Sequence, residues 1–183
     1  MSDSYAKLLK TRPILTKALT AGTLSGLGDI IAGLLITGSV RLPPVLQQAL
    51  IGVVLKGPYF HYVFQLVGKL FAGYDHARLS TVLKKMLVTQ GVFSPLFLFL
   101  YLTSLRMLQG KELGAALAYT RKIFPAVLTA NLKFWPVVDL LSFSFVPNEY
   151  RVLFANLAGL IWTVYLVWKT RQLSLRNSKK KHD

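Results

Sequence analysis

The chain has no cysteine, which rules out a disulfide framework, thiolate chemistry and any cysteine-built metal site. It is also short of acid, with seven Asp and Glu against 22 Lys and Arg. Charged residues are 16% of the total, well under the roughly 25% usual in a soluble domain. Catalytic signatures are missing too. There is no H-E-x-x-H, no phosphate-cradling G-K-S/T loop and no nucleophile elbow, and His61, His76 and His182 are scattered. No pairing of acids for acid–base work can be read from the order of residues. An enzyme is therefore not expected, and no cofactor or metal is implied. The start, MSDSYAKLLKTRP, lacks the apolar core and small-residue cleavage site of a secretory signal. With Asp3 and only Arg12 it also makes a weak mitochondrial presequence.

What is present is grease. Apolar residues make up 53% of the 183 positions, and mean hydropathy is +0.47. Such a surface expects lipid as its solvent. The net charge of +15 would point to nucleic acid in a soluble protein. Here Lys and Arg lie between apolar segments and at both ends, where they meet anionic headgroups, so nucleic-acid binding is not expected.

A crossing helix needs about 20 mainly apolar residues. Residues 86–105 and 152–168 meet that length without a charge. Residues 14–37 carry Lys17 and Asp29, and residues 45–71 carry Lys56 and His61 with a kink expected at Pro58. Residues 123–145 hold Lys133, Asp139, Pro125 and Pro136 and are the ambiguous segment. Kinks are also expected at Pro95 and Pro136, since proline lacks the backbone donor. The basic residues of the N-terminus, the second link and the tail favour one common side for both ends, the cytosol, and hence an even number of crossings. Arg106, Lys111, Arg121 and Lys122 in the third link run against that count. The expected fold is all-α: a single polytopic membrane domain over 1–183 with four spans and a fifth segment, 123–145, broken or half-inserted. Residues 1–13 form a basic N-terminal segment, and 172–183 a disordered basic tail.

The stretch NLKFWPVVDLLSFSFVPNEYR raises the sharpest question. Lys133 and Asp139 are six residues apart, about 240° around a helix, so they cannot meet. Charges inside spans cost roughly 2.5–3.5 kcal/mol each at mid-bilayer on insertion scales, so partners on other helices are expected. The pairings open to them are Lys133 with Asp29 and Asp139 with Lys56. Such pairs either pin helix register or line a water-filled path, with His61 as a further polar group. Lys56 has a third option, snorkelling to an interface. Ala18, Gly22 and Gly26 recur every fourth residue, and Ala155 and Gly159 repeat the device. Smooth stripes of this kind let helices approach closely, within one chain or in a homo-oligomer.

Several motifs carry a resemblance. The first span reads Pro13, Thr16, Lys17, Gly22, Leu24, Gly28, Asp29; the second has Gly57, Pro58 and His61; the third has Lys84, Gln90 and Pro95. The last third runs N-x-K-x-W-P, F-x-x-V-P and RVLFANLAGLIW. In order and spacing this resembles the family of small integral membrane proteins of peroxisomes and the mitochondrial inner membrane, with the peroxisomal branch nearer. The pattern departs at Gly33, at Thr89 where the family carries an acid, and at Asp139 where it carries Gln. The resemblance implies a compact helical bundle in the peroxisomal membrane, with the mitochondrial inner membrane as the alternative. It also implies delivery by a peroxisomal membrane-protein import receptor. The implied activity is weakly selective passage of small hydrophilic solutes; the alternative is a non-conducting scaffold for organelle homeostasis. The ending Lys180-Lys181-His182-Asp183 matches a dilysine retrieval signal and equally a plain solvated tail.

Overall fold

A computed structural model describes the backbone of residues 2–75 and 78–179, with side chains over 5–75 and 78–165. Eight α-helices follow in order: α1 Ser2–Thr11, α2 Pro13–Thr37, α3 Leu42–Ile51, α4 Gly57–Leu70, α5 Leu79–Val88, α6 Ser94–Leu108, α7 Leu113–Phe145 and α8 Arg151–Lys179. Two π-helical turns, Gly52–Lys56 and Thr89–Phe93, fuse α3 to α4 and α5 to α6. The result is five rods. Pro13, Pro43 and Pro58 stand in first turns, where their missing donor removes no internal bond. Gly38, at φ 69°, ends α2 in the left-handed region and returns its N–H to Leu34 O at 3.2 Å.

The rods at 13–37, 42–70, 79–108 and 113–145 are long and apolar enough to cross a bilayer, and α8 is apolar over the shorter stretch 151–165. Four spans plus a fifth segment is thus the architecture, but the roles are exchanged. Residues 123–145 are not broken: they belong to one continuous 33-residue helix that keeps Pro125 and Pro136 inside it. The helix starts ten residues before that stretch, at Leu113. At Pro58 and Pro95 the expected irregularity exists, and it takes the form of the π turns just upstream. Gly57 N–H closes the first turn on Gly52 O, and Ser94 N–H closes the second on Thr89 O.

Consecutive rods are antiparallel. Gly26 faces Ala49 and Gly57 faces Ala18; Thr103 meets Thr120 and Asn131 meets Ser94; Trp162 packs on Phe134. α8 runs parallel to α2, for Gly28 meets Leu160 while Lys17 lies in the field of Glu149. The beginning of α2 and the far end of α8 therefore stand at opposite ends of the bundle. Four candidate spans keep the even count expected from charge, while the fifth rod packs parallel to the first. The backbone of 172–179, expected as part of a disordered tail, continues α8 as helix, and the last residues, 180–183, with the dilysine, lie outside the described residues.

The stripe on α2 acts inside the chain, whereas Ala155 and Gly159 face the space between the rods instead of a close helix contact. A Cβ on Gly57 would overlap the Ala18 backbone, and one on Gly52 would sit 2.5 Å from Gly22 Cα. Ala18, Gly22 and Gly26 therefore form the seam on which α2 crosses the α3–α4 rod, the close approach that small residues permit. Outward-facing Leu35, Leu87, Phe145 and Ile161 are exposed, as lipid contact requires.

Candidate functional site: a chamber between the rods

Between the rods lies a cavity of about 640 Å3. At about 30 Å3 per water molecule it has room for roughly 20 of them. Its lining on α7 is Tyr119, Ile123, Val127, Asn131, Trp135 and Asp139, every fourth residue without exception. The third rod repeats the device with Thr89, Phe93, Phe97, Tyr101, Leu105 and Gln109. Rows of i, i+4 run obliquely to a helix axis, so the two rods face the cavity along slanted ridges. Twenty residues at about 1.5 Å each make the lined length on the order of 30 Å, the hydrocarbon thickness of a bilayer.

The mouth is polar. Arg41, Gln47, Arg106, Gln109 and Tyr119 line it. The Arg106 guanidinium stacks 3.8 Å from the Tyr119 ring centroid and donates to Gln109 Oε1 at 2.8 Å. Asp29 lines the same region, in the field of Arg41. Midway, Tyr101 donates to Gln48 Oε1 at 3.0 Å and Asn131 to Ser94 Oγ at 2.8 Å.

The inner end gathers three hydrogen-bonded polar side chains. Asp139 Oδ2 accepts from Thr89 Oγ1 and from Gln90 Nε2, each at 2.7 Å. The second π turn presents both donors. Gln90 Oε1 is buried and has no partner. Lys56, the last residue of the first π turn, lines the cavity as well. Its ammonium lies over Gly159, where a Cβ would come within 2.8 Å of Nζ. Gly159 is thus a slot for the lysine head. Past this floor, Phe64, Val67, Phe143 and Val152 pack into the apolar core cluster, with Phe60 and Phe93 against it.

Of the charges singled out from sequence, the chamber collects Asp29, Lys56 and Asp139 and leaves out two polar groups. Lys133 is exposed on the outer face of α7. His61 is buried on α4 with Nε2 3.2 Å from Gln65 Nε2 and Nδ1 unpartnered. Among the described residues, neither expected ion pair forms: Lys133 does not meet Asp29, and Lys56 does not meet Asp139. Asp139 finds hydroxyl and amide donors instead, and Arg78–Asp75, at 3.6 Å, is an exposed pair in a link. Sequence reasoning took Thr89 as a departure from a pattern and Gln90 and Asn131 as members of one, gave none of the three a role, and passed over Ser94. The four-residue rhythm of α7 was the signal that would have found Asn131 and Trp135.

The comparisons agree with this architecture. The Mpv17 / PMP22 family profile matches residues 106–167. Peroxisomal membrane protein 2 of Bos taurus is 31% identical over 172 residues, covering 90% of this chain and 86% of that protein. Mitochondrial inner membrane protein Mpv17 of Rattus norvegicus is 32% identical over 174 residues, covering 93% and 97%. PXMP2/4 family protein 3 of Dictyostelium discoideum is 34% identical over 163 residues, covering 88% and 86%. No solved structure matches the chain. With a five-rod helical bundle and relatives matched across nearly their whole length, this chain belongs to the Mpv17/PMP22 family of membrane proteins.

Proposed function

We propose that the protein conducts small water-soluble solutes across an organelle membrane, and that it is not an enzyme. The observation carrying this reading is the chamber: a cavity about one hydrocarbon thickness long between the chain's own helices, with Asp29, Lys56, Gln90, Asn131 and Asp139 set in a largely apolar wall. Polar groups at membrane depth face such a path because lipid cannot satisfy them. Three cations and two acids line it, Arg41, Lys56 and Arg106 against Asp29 and Asp139, so discrimination by net charge is weak. The names of the relatives support a peroxisomal membrane, with the mitochondrial inner membrane as the alternative address. A peroxisomal membrane-protein import receptor is the corresponding partner, and a homo-oligomer would use the lipid-facing surface, since the Gly22–Gly26 seam is occupied.

A second reading, a non-conducting scaffold, draws on the apolar cluster that closes the inner end. Release of graded-size solutes from liposomes separates the two. Conduction expects escape of small solutes and retention of large ones. Retention of all of them by folded protein, across voltage and redox conditions, favours the scaffold.

A further inference from the structure

Lys56 and Asp139 are opposite charges on the wall of one chamber, yet they do not pair with each other. Among the described residues no ion pair reaches the lysine, and its ammonium occupies the space that a Cβ on Gly159 would fill. The carboxylate is anchored through Oδ2 alone, by Thr89 and Gln90, which leaves Oδ1 without a donor. Beside it Gln90 Oε1 is a buried acceptor with no partner, on a side chain that is 8% exposed. The inner chamber thus offers a cation at one place and two hydrogen-bond acceptors, one of them charged, at another.

We propose that this arrangement binds a zwitterion, and that small neutral amino acids are a solute class selected by the inner chamber. The carboxylate of the solute sits against Lys56, and its ammonium donates to Asp139 Oδ1 and Gln90 Oε1. A dipolar solute satisfies both unpaired charges at once. A simple anion leaves the carboxylate of Asp139 facing it, and a simple cation meets the ammonium of Lys56. This inference rests on the conduction reading for its physiological sense, but binding itself is measurable without flux.

Trp135 and Trp162 line the same cavity, so tryptophan fluorescence of the full chain in detergent reports occupancy. The probes are alanine, N-acetylalanine, which keeps only the negative group, and alanine methyl ester, which keeps only the positive one. Saturable quenching by alanine, with at least about ten-fold weaker response to both derivatives, is the expected result, since each derivative forfeits a charged hydrogen bond. Lys56→Gln and Asp139→Asn should each weaken alanine by about ten-fold while the fold, read by circular dichroism, is kept. Asparagine still offers an oxygen to Thr89 and Gln90. Equal responses to all three probes, or none, overturn the proposal, and the comparison of probes on the unmutated chain stands even where a variant does not fold. In liposomes, passage of glycerol without preference for alanine overturns it while leaving conduction intact. Retention of glycerol together with saturable alanine binding overturns conduction and leaves the site.

Discussion

Thr89 Oγ1 and Asp139 Oδ2 lie 2.7 Å apart, fifty residues distant in sequence, and tie the second π turn to the C-terminal part of α7. Gln90 doubles the tie from the adjacent residue. Breaking it should be felt as lost stability. Asp139→Ala strands the Gln90 amide, while the Thr89 hydroxyl can turn to Lys85 O or Met86 O, and hydrogen bonds to a charged group contribute about 1.5–3 kcal/mol each. We expect a loss of about 2–4 kcal/mol in reversible denaturation in detergent, with Asp139→Asn milder by half or more. Equal losses for the two would assign the effect to packing rather than to the bonds.

Lys133 offers the contrast. It is exposed and has no ion pair with Asp29, so the two should act independently. A double-mutant cycle of Asp29→Ala and Lys133→Ala should give a coupling energy within about 0.5 kcal/mol of zero. A coupling above about 1 kcal/mol would require the pair that the sequence first brought to mind.

The seam between α2 and α4 has no tolerance. Gly57→Ala places a methyl group on the Ala18 backbone and should destabilise by about 1–3 kcal/mol, visible as a lowered melting temperature. Gly68→Ala, on the same helix in open space, is the control. It should be neutral or stabilise by about 0.5–1 kcal/mol, as alanine does inside helices.

The alternation of the rods is open to labelling, because the chain is free of cysteine. Single cysteines at Ser39 and Gln109 should react with an impermeant maleimide from one side of the membrane. Cysteines at Tyr74 and Asn148 should react from the other. Ser39 and Tyr74 reacting from the same side would undo the described order of passes.

Much of this fold was legible before any coordinates. The helical class, the count of apolar segments, the small-residue seam and Asp29, Lys56 and Asp139 as interior charges all follow from composition and period. What could not be read was partnership. Opposite charges in greasy segments invite pairing on paper, but whether two side chains meet depends on the face each helix turns inward. Lys133 and Asp139 ride the same helix, and only the second falls on the four-residue row that begins at Tyr119. The continuity of α7 was likewise hidden, since Pro125 and Pro136 argue for breaks when judged locally. The departures at positions 89 and 139 looked unrelated for the same reason. In three dimensions they touch: where the family pattern has acid on one side and amide on the other, this chain has hydroxyl and acid, and the cluster keeps a single carboxylate.

Each π turn holds one residue more than the α turn it replaces. Returning either to α geometry would advance everything behind it by about 1.5 Å and 100°. Lys56 closes the first turn, and Thr89 and Gln90 open the second, so the inner chemistry is set by helical phase as much as by residue identity. A homologue one residue shorter in 52–56 could keep every polar side chain of this protein and still have no chamber, its lysine turned outward to the lipid. Gaps in an alignment at these two places therefore carry more information about the chamber than most substitutions elsewhere in the chain.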